Sequence, residues 1–388
     1  MPDDPGIKHM RMVKEPTYRE DAVGEIQRWD ERDIVFARKD LFRYFGPDTE
    51  QFKTYFRAHP ESLSYDKAIS LQKPLGADNP IDAPMFTTQF AFMDELGTEI
   101  MVDGEPGNNK TDISPAEANK KIKAAAALYG ADMVKTGQLK QEWTYSHVGC
   151  TIGNHSGYQS WGTPIDLSHH TNVIAMGFKM DLDLLACAPY FPTLLASARA
   201  YAASAWTAVR LALYIRQMGF SARAHHFSNY QVLAVPIAVD CGLGELSRAG
   251  YLLTKEFGLG LRLSIVTTDM PISHDAPVDI AAQSFCEQCR ICADECPSGA
   301  IPKGKKQLYN GVRKWKLDEE KCYTYWHVNG TDCGICMAAC PWTKPPTHFH
   351  RFNAMLASMK GPHQRWMAWA DRVVYGRHKP TIFPDYLS

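Results

Sequence analysis

Apolar positions recur at helical spacing from Ser114, where SPAEANKKIKAAAALYGADMV opens on a Ser-Pro start and meets Gly130 as a stop. A helix is predicted there. TNVIAMGFKMD is instead a β-branched and apolar run, which predicts a strand over 172–180. The stretch 192–218, PTLLASARAYAASAWTAVRLALYIRQM, has proline near its start and Gly219 just past its end. It predicts a long helix, and its apolar residues on most faces place it at the centre of the molecule. Downstream, QVLAVPIAVD, GLGELSRAGYLLTKEFG and RLSIVTTD carry strand, helix and strand signals in turn, with GLG as a tight turn. Such alternation argues for an α/β or α+β core.

Around this core the pattern changes. Residues 1–115 are charged, punctuated and aromatic, as in ERDIVFARKDLFRYFG and PLGADNPIDAPMF, and predict an N-terminal unit of short helices and loops. The proline-rich PISHDAPVD, residues 271–279, separates the core, 116–275, from a cysteine-rich domain at 276–346. A tail over 347–388, rich in Trp, Phe and Tyr, is expected to pack back on the body rather than stay disordered.

Composition narrows the classes. With 388 residues, 45% apolar and 22% charged, the chain can bury a sizeable core, which removes disordered and fibrous readings. The net charge of -1 gives no overall footprint for nucleic acid, so no nucleic-acid partner is expected. The uncharged stretch Leu184–Ala198 is interrupted by Pro189 and Pro192 and is too short to span a membrane. The first residues show neither an apolar signal region nor a twin-arginine pair.

Eight of the eleven cysteines fall in one short window. Cys286, Cys289, Cys292 and Cys296, in FCEQCRICADECPSGAI, read C-x2-C-x2-C-x3-C-P, the bacterial ferredoxin run. Cys322, Cys333, Cys336 and Cys340 repeat its end, C-x2-C-x3-C-P, with the first ligand moved upstream. Three closely spaced thiolates reach three corners of one 4Fe-4S cube, while the cysteine before proline serves the other cluster. Cys286, Cys289, Cys292 and Cys340 are therefore assigned to one cluster, and Cys296, Cys322, Cys333 and Cys336 to a second. A disulfide framework suits small secreted chains, and zinc sites usually pair two C-x2-C units, so both fit less well. Cys150, Cys187 and Cys241 read as small buried hydrophobes. The pairs His169-His170 and His225-His226 cannot chelate alone, since adjacent residues share no face, and are expected as pocket-lining or satisfied polar groups.

A plain carrier needs far fewer residues than the 285 that precede Cys286, so something upstream receives the electrons. No Walker loop is present, and GLGELSRAG puts its third glycine out of register for the dinucleotide fingerprint.

At this point the chain resembles the corrinoid iron-sulfur reductive dehalogenases, in RWDERDIVFAR, in the run from VPIAVDCGLGELSRAG to SIVTTDMPI, in FCEQCRICADECPSGAI, and in KWKLDEEKCYTYW and CGICMAACPWTK. The resemblance implies an α+β fold: a nitroreductase-like, cobalamin-binding α/β sandwich followed by a ferredoxin-like domain with two 4Fe-4S clusters. It implies a base-off cobalamin and halide removal from an organohalide. It also places a proton-donating tyrosine at Tyr201, with Arg262 as the cation that a phenol needs beside it to exchange protons readily. Asn229 would orient the substrate or the tyrosine hydroxyl, and Phe36 and Trp326 are weaker pocket candidates. Read for themselves, these are a core tyrosine, a rim charge, a turn residue and core aromatics.

The family's respiring members carry a twin-arginine leader and work at the outer face of the membrane with a small anchor subunit. Others are cytoplasmic, with a fused flavin and ferredoxin reductase portion. This chain runs about 48 residues past Cys340. The expectation is therefore a cytoplasmic enzyme fed by a separate donor, namely a ferredoxin, a flavodoxin or a membrane electron chain. An outer-face enzyme whose leader was removed, a membrane anchor subunit and a homodimer stay open beside it. Two rivals are an epoxyqueuosine-reductase-like enzyme acting on tRNA and a non-catalytic two-cluster electron-transfer subunit.

Overall fold

The computed structural model describes residues 11–149 and 161–387, and Cys150 lies outside them. Its centre is a four-stranded antiparallel sheet in the order Met133–Gln138, Asn172–Lys179, Leu261–Thr268, Ala222–His225. The two-residue period of Asn172–Lys179 explains its all-apolar run. Ile174, Met176 and Phe178 point into one core, and Val173 and Ala175 into another. A strand buried on both faces has no polar side to alternate with.

The first core lies between the sheet and two helices, Pro115–Tyr129 and Phe191–Gln217. Ser114 accepts a hydrogen bond from the Glu117 amide, and Gly130 closes that helix in a left-handed conformation, the two ends that its sequence encodes. The second core, on the opposite face, gathers Trp143, Val232, Ile237 and Leu252. The middle of the chain is thus helix, sheet and a mixed layer, an α+β sandwich.

Two predicted elements differ. QVLAVPIAVD was expected as a strand, yet Ala234–Asp240 is a short helix. Its Val and Ile residues pack beneath the sheet, and tertiary burial overrides their β preference. GLGELSRAGYLLTKEFG was expected as a helix, yet Glu245–Leu246 and Leu252–Leu253 pair as a tight hairpin. Gly250, at φ +83°, takes a left-handed conformation in the turn that a helix could not include.

The hairpin is a latch. The Glu245 carboxylate accepts the amides of Ile280 and Ala282 at 2.9 and 2.8 Å, at the start of helix Ala282–Cys289. Buried Arg248 donates to the carbonyls of Cys286, Pro302 and Gly304, and stacks over Trp315 at 4.3 Å. GLGELSRAG therefore fastens the cysteine-rich domain to the core rather than cradling a phosphate.

Strand Arg11–Met12 pairs with Val278–Asp279, so the beginning of the described chain is laced into the junction ahead of the cysteines. The tail forms helices His348–Ala357 and His363–Tyr375, and the second packs back on Ala282–Cys289 through Gln364 and Ala368. Among the described residues no helix is long and apolar enough to cross a membrane.

Three of the four paired histidines are spent on structure. His225 and His170 both bond Thr267, and His226 bonds the Leu96 carbonyl. Burial pushes His170 and His226 down to about 4 and His225 well below its usual range, so all three are neutral. Cys187 and Cys241 are buried.

Candidate active site

A cavity of about 750 Å³ opens between the sandwich and the cysteine-rich domain. One wall is a stripe of the long helix, Thr193, Leu194, Ser197 and Tyr201, which helical spacing puts on a single face. Arg262 enters from the sheet. It stands opposite Phe178 in the ladder, on the face turned toward that helix.

Arg262 and Tyr201 are brought together. The guanidinium carbon lies 4.9 Å from the Tyr201 ring centroid, and Phe227 holds the same ring at 4.6 Å. Arg262 donates to Ser197 Oγ at 2.7 Å, and Ser197 donates to Asp332 at 2.5 Å. Asp332 is buried, and burial holds its carboxyl above the ordinary range. A serine and an acid thus aim the arginine at the phenol.

Asn229 is not part of this group. Its amide donates to Gly97 and Glu99 at 2.9 and 3.1 Å, and its oxygen accepts from buried Arg223 at 3.0 Å. It is not among the residues that line the described cavity. Arg223 needs partners for a charge with almost no exposure, and Glu99, Asp103 and Asn229 supply them. Phe36 and Trp326 do line the cavity, and both pack on Tyr323.

Cysteines of the two runs lie close enough to raise one another's thiols. Burial comes first for each shifted thiol, raising Cys286 and Cys322 to about 11 and Cys333 and Cys340 to about 12. Beyond burial, Cys289 is raised by Cys286 and Cys340, and Cys340 by Cys286. Cys322 is raised by Cys296, and Cys333 and Cys336 by Cys322 and Cys296. Cys292 also senses Cys336, and Cys336 senses Cys340, so the two groups adjoin. Among the described residues no three ligand side chains converge on a point where one metal ion would sit. Ligands arranged around a cube of iron and sulfur need no such point.

The two sets differ in position. Cys296, Cys322, Cys333 and Cys336 all line the cavity, whereas Cys286, Cys289, Cys292 and Cys340 do not.

Besides Ser197 and Asp332, sequence reading missed Tyr251, His327 and Asp40 on the cavity wall. Tyr251, from the hairpin, lines the wall near Tyr201, Arg262, Cys322 and Cys336, and burial pushes its phenol well up. His327 bonds the Lys73 carbonyl through Nδ1 at 3.2 Å. Asp40 is buried, with one oxygen lacking a hydrogen-bond partner. Burial raises it to about 6, with Lys39 and Arg43 pulling down. A lone acid after a lysine carries no motif, so only the fold reveals it.

A stability prediction follows for Asp40. The unfolded carboxyl titrates near 3.8 and the folded one near 6, so ionisation opposes folding as pH rises between those values. Below about 4 both states are protonated and the penalty is absent; above about 6 it is complete, at about 3 kcal/mol. Asp40→Asn is expected to raise unfolding stability at pH 7.5 and to leave it unchanged at pH 3.5, by urea titration. An equal gain at both pH values would contradict the buried-acid reading.

Comparison with known proteins places this geometry. A 4Fe-4S dicluster domain model matches residues 285–344. The tetrachloroethene reductive dehalogenase of Sulfurospirillum multivorans is 33% identical over 284 residues, 66% of this chain and 56% of its own length. That of Dehalobacter restrictus is 30% identical over 277 residues, 61% of this chain and 50% of its own. The solved structure of the catabolic reductive dehalogenase NpRdhA matches with a TM-score of 0.76 at 28% identity, covering 95% of this chain and 49% of that one. Another reductive dehalogenase structure, described in terms of B12-dependent dehalogenation, matches with a TM-score of 0.75 at 29% identity, covering 96% and 49%. The chain spans about half the length of the relatives it matches.

Proposed function

The chain is a homologue of the reductive dehalogenases in sequence and in fold, and from that premise we propose that it replaces the halogen of an organohalide by hydrogen. The reaction consumes two electrons and one proton and releases halide and the product with hydrogen in its place. The observation that carries this reading is the cavity itself. It places a phenol under a guanidinium on one side and four cluster-type cysteines on the other.

The cavity suits a corrinoid. Its volume is at the upper end for a cofactor site, and its lining is mainly apolar, as a large macrocycle requires. Segments 232–236 and 296–298 would hold the ring between the sandwich and the cysteines. When bound, the corrinoid supplies the low-potential centre that breaks the carbon–halogen bond.

The remaining roles belong to side chains. Tyr201 gives its hydroxyl proton to the carbon that loses halide, and Arg262 stabilises the phenolate left behind. Ser197 and Asp332 hold Arg262 in place. The two cysteine sets hold two 4Fe-4S clusters, the one at Cys286, Cys289, Cys292 and Cys340 receiving electrons and the one at Cys296, Cys322, Cys333 and Cys336 delivering them. The electrons come from a separate donor.

The test is metal content after anaerobic reconstitution, followed by a halide-release screen. About one cobalt and about eight iron per chain, with halide freed from a chlorinated alkene or a halogenated phenol, is the expected result. Full iron in a folded chain that takes up no cobalt would leave only an electron-transfer role.

A further inference from the structure

We infer that the two C-terminal helices form the docking face for a small acidic iron-sulfur carrier protein, which delivers electrons at the Cys286 cluster. The inference rests on the electron route proposed above. Three separate observations carry it: charge, exposed aromatic surface, and a cleft leading to the receiving cysteines.

Residues 344–388 contain seven Lys or Arg against two Asp, in a chain whose net charge is -1, so the remainder of the molecule is net acidic. Lys344, Lys360 and Arg372 are paired with Asp371, Asp279 and Asp294. Arg351, Arg365, Arg377 and Lys379 are exposed and have no carboxylate within ion-pair distance among the described residues. Unpaired cations held on one face steer an acidic partner from a distance.

Between them the same helices expose Phe349, Phe352, Trp366, Trp369 and Val373, each more than half accessible. Large apolar side chains set among arginines are what the centre of a transient protein interface is made of. A cleft of about 140 Å³ runs between the helices, walled by Phe349, His350 and Tyr375 and floored by Phe285, Pro341 and Trp342. Phe285 precedes Cys286 and Pro341 follows Cys340, so the floor is made by the chain neighbours of two ligands of the receiving cluster. The delivering cluster faces the cavity on the other side. A second copy of this chain seated here would close the entry to that cluster, which favours a mobile carrier as the occupant.

In the step itself, one electron leaves the reduced cluster of the carrier and enters the oxidised Cys286 cluster. No bond forms or breaks and no proton moves.

The test uses the reconstituted holoprotein and a reduced small acidic ferredoxin, followed by stopped-flow absorbance without any organohalide. The second-order rate is expected to fall steeply between about 20 mM and about 500 mM sodium chloride. Arg365→Glu combined with Lys379→Glu is expected to lower it about tenfold or more at low salt. Trp369→Ala should lower it without removing the salt dependence. Reduction by dithionite and iron content should stay unchanged in every variant, which shows that the clusters and fold are intact. A carrier rate indifferent to salt and to the charge reversal overturns the inference. So does charge-dependent flotation with phosphatidylglycerol vesicles, or a dimer lost on charge reversal, when the carrier rate is unaffected. Because cluster reduction is read without substrate, failure of halide release with normal cluster reduction would count against the proposed function alone.

Discussion

Tyr201→Phe is expected to cut halide release by about 10² to 10⁴, the range that positioned general acids contribute. That corresponds to about 3 to 5 kcal/mol of barrier. The substitution removes one hydroxyl and leaves the ring between Phe227 and Arg262, so packing around it is preserved. Iron and cobalt content and cluster reduction should match the parent protein. Tyr230 offers a built-in control, because its hydroxyl is already committed to the Leu263 carbonyl at 2.9 Å. Tyr230→Phe should change the rate little. Full activity in Tyr201→Phe would move the proton donor elsewhere, and Tyr251, on the same wall, would be the next residue to replace.

The second large effect concerns the crossed cysteines. Cys296→Ala is expected to lower iron from about eight to about four per chain and to abolish halide release, since the cluster lost is the one facing the cavity. Iron content alone cannot say which cluster went, but pairs of substitutions can. If Cys296 and Cys322 ligate one cluster, Cys296→Ala with Cys322→Ala retains about four iron, the same as either alone. Cys296→Ala with Cys289→Ala then retains almost none. If clusters formed within each run instead, these two outcomes would be exchanged.

Much of this site was legible in the chain because its signals are local. The C-x2-C-x2-C-x3-C-P run states ligand chemistry in a dozen residues, and the long helix carries its own proline start and glycine stop. Tyr201 and Arg262 came from resemblance, and the ladder register that brings them together had no sequence signature. What the sequence did not announce was non-local. The resemblance placed Asn229, whose hydrogen bonds to Glu99, 130 residues away, and to Arg223 no sequence pattern announces. The strand expected at 231–240 had the right residue types, and only its burial beneath the sheet makes it helical. Glu245 and Arg248 sat inside a motif inspected for phosphate binding, while their ligands are amides and carbonyls at 280–304.

The pairing of Arg11–Met12 with Val278–Asp279 bears on how the protein is made. A ribosome must deliver more than 260 residues before the first strand meets its partner, and the cysteine-rich domain emerges only afterwards. Contacts this far apart along the chain close slowly, because loop entropy is lost before the contact repays it. The junction that orients the iron ligands is therefore among the last parts to be completed. Metal loading belongs at the end of biogenesis, on a sandwich already folded, and a translation product cut short before residue 278 would have neither the clasp nor the cysteines to fill.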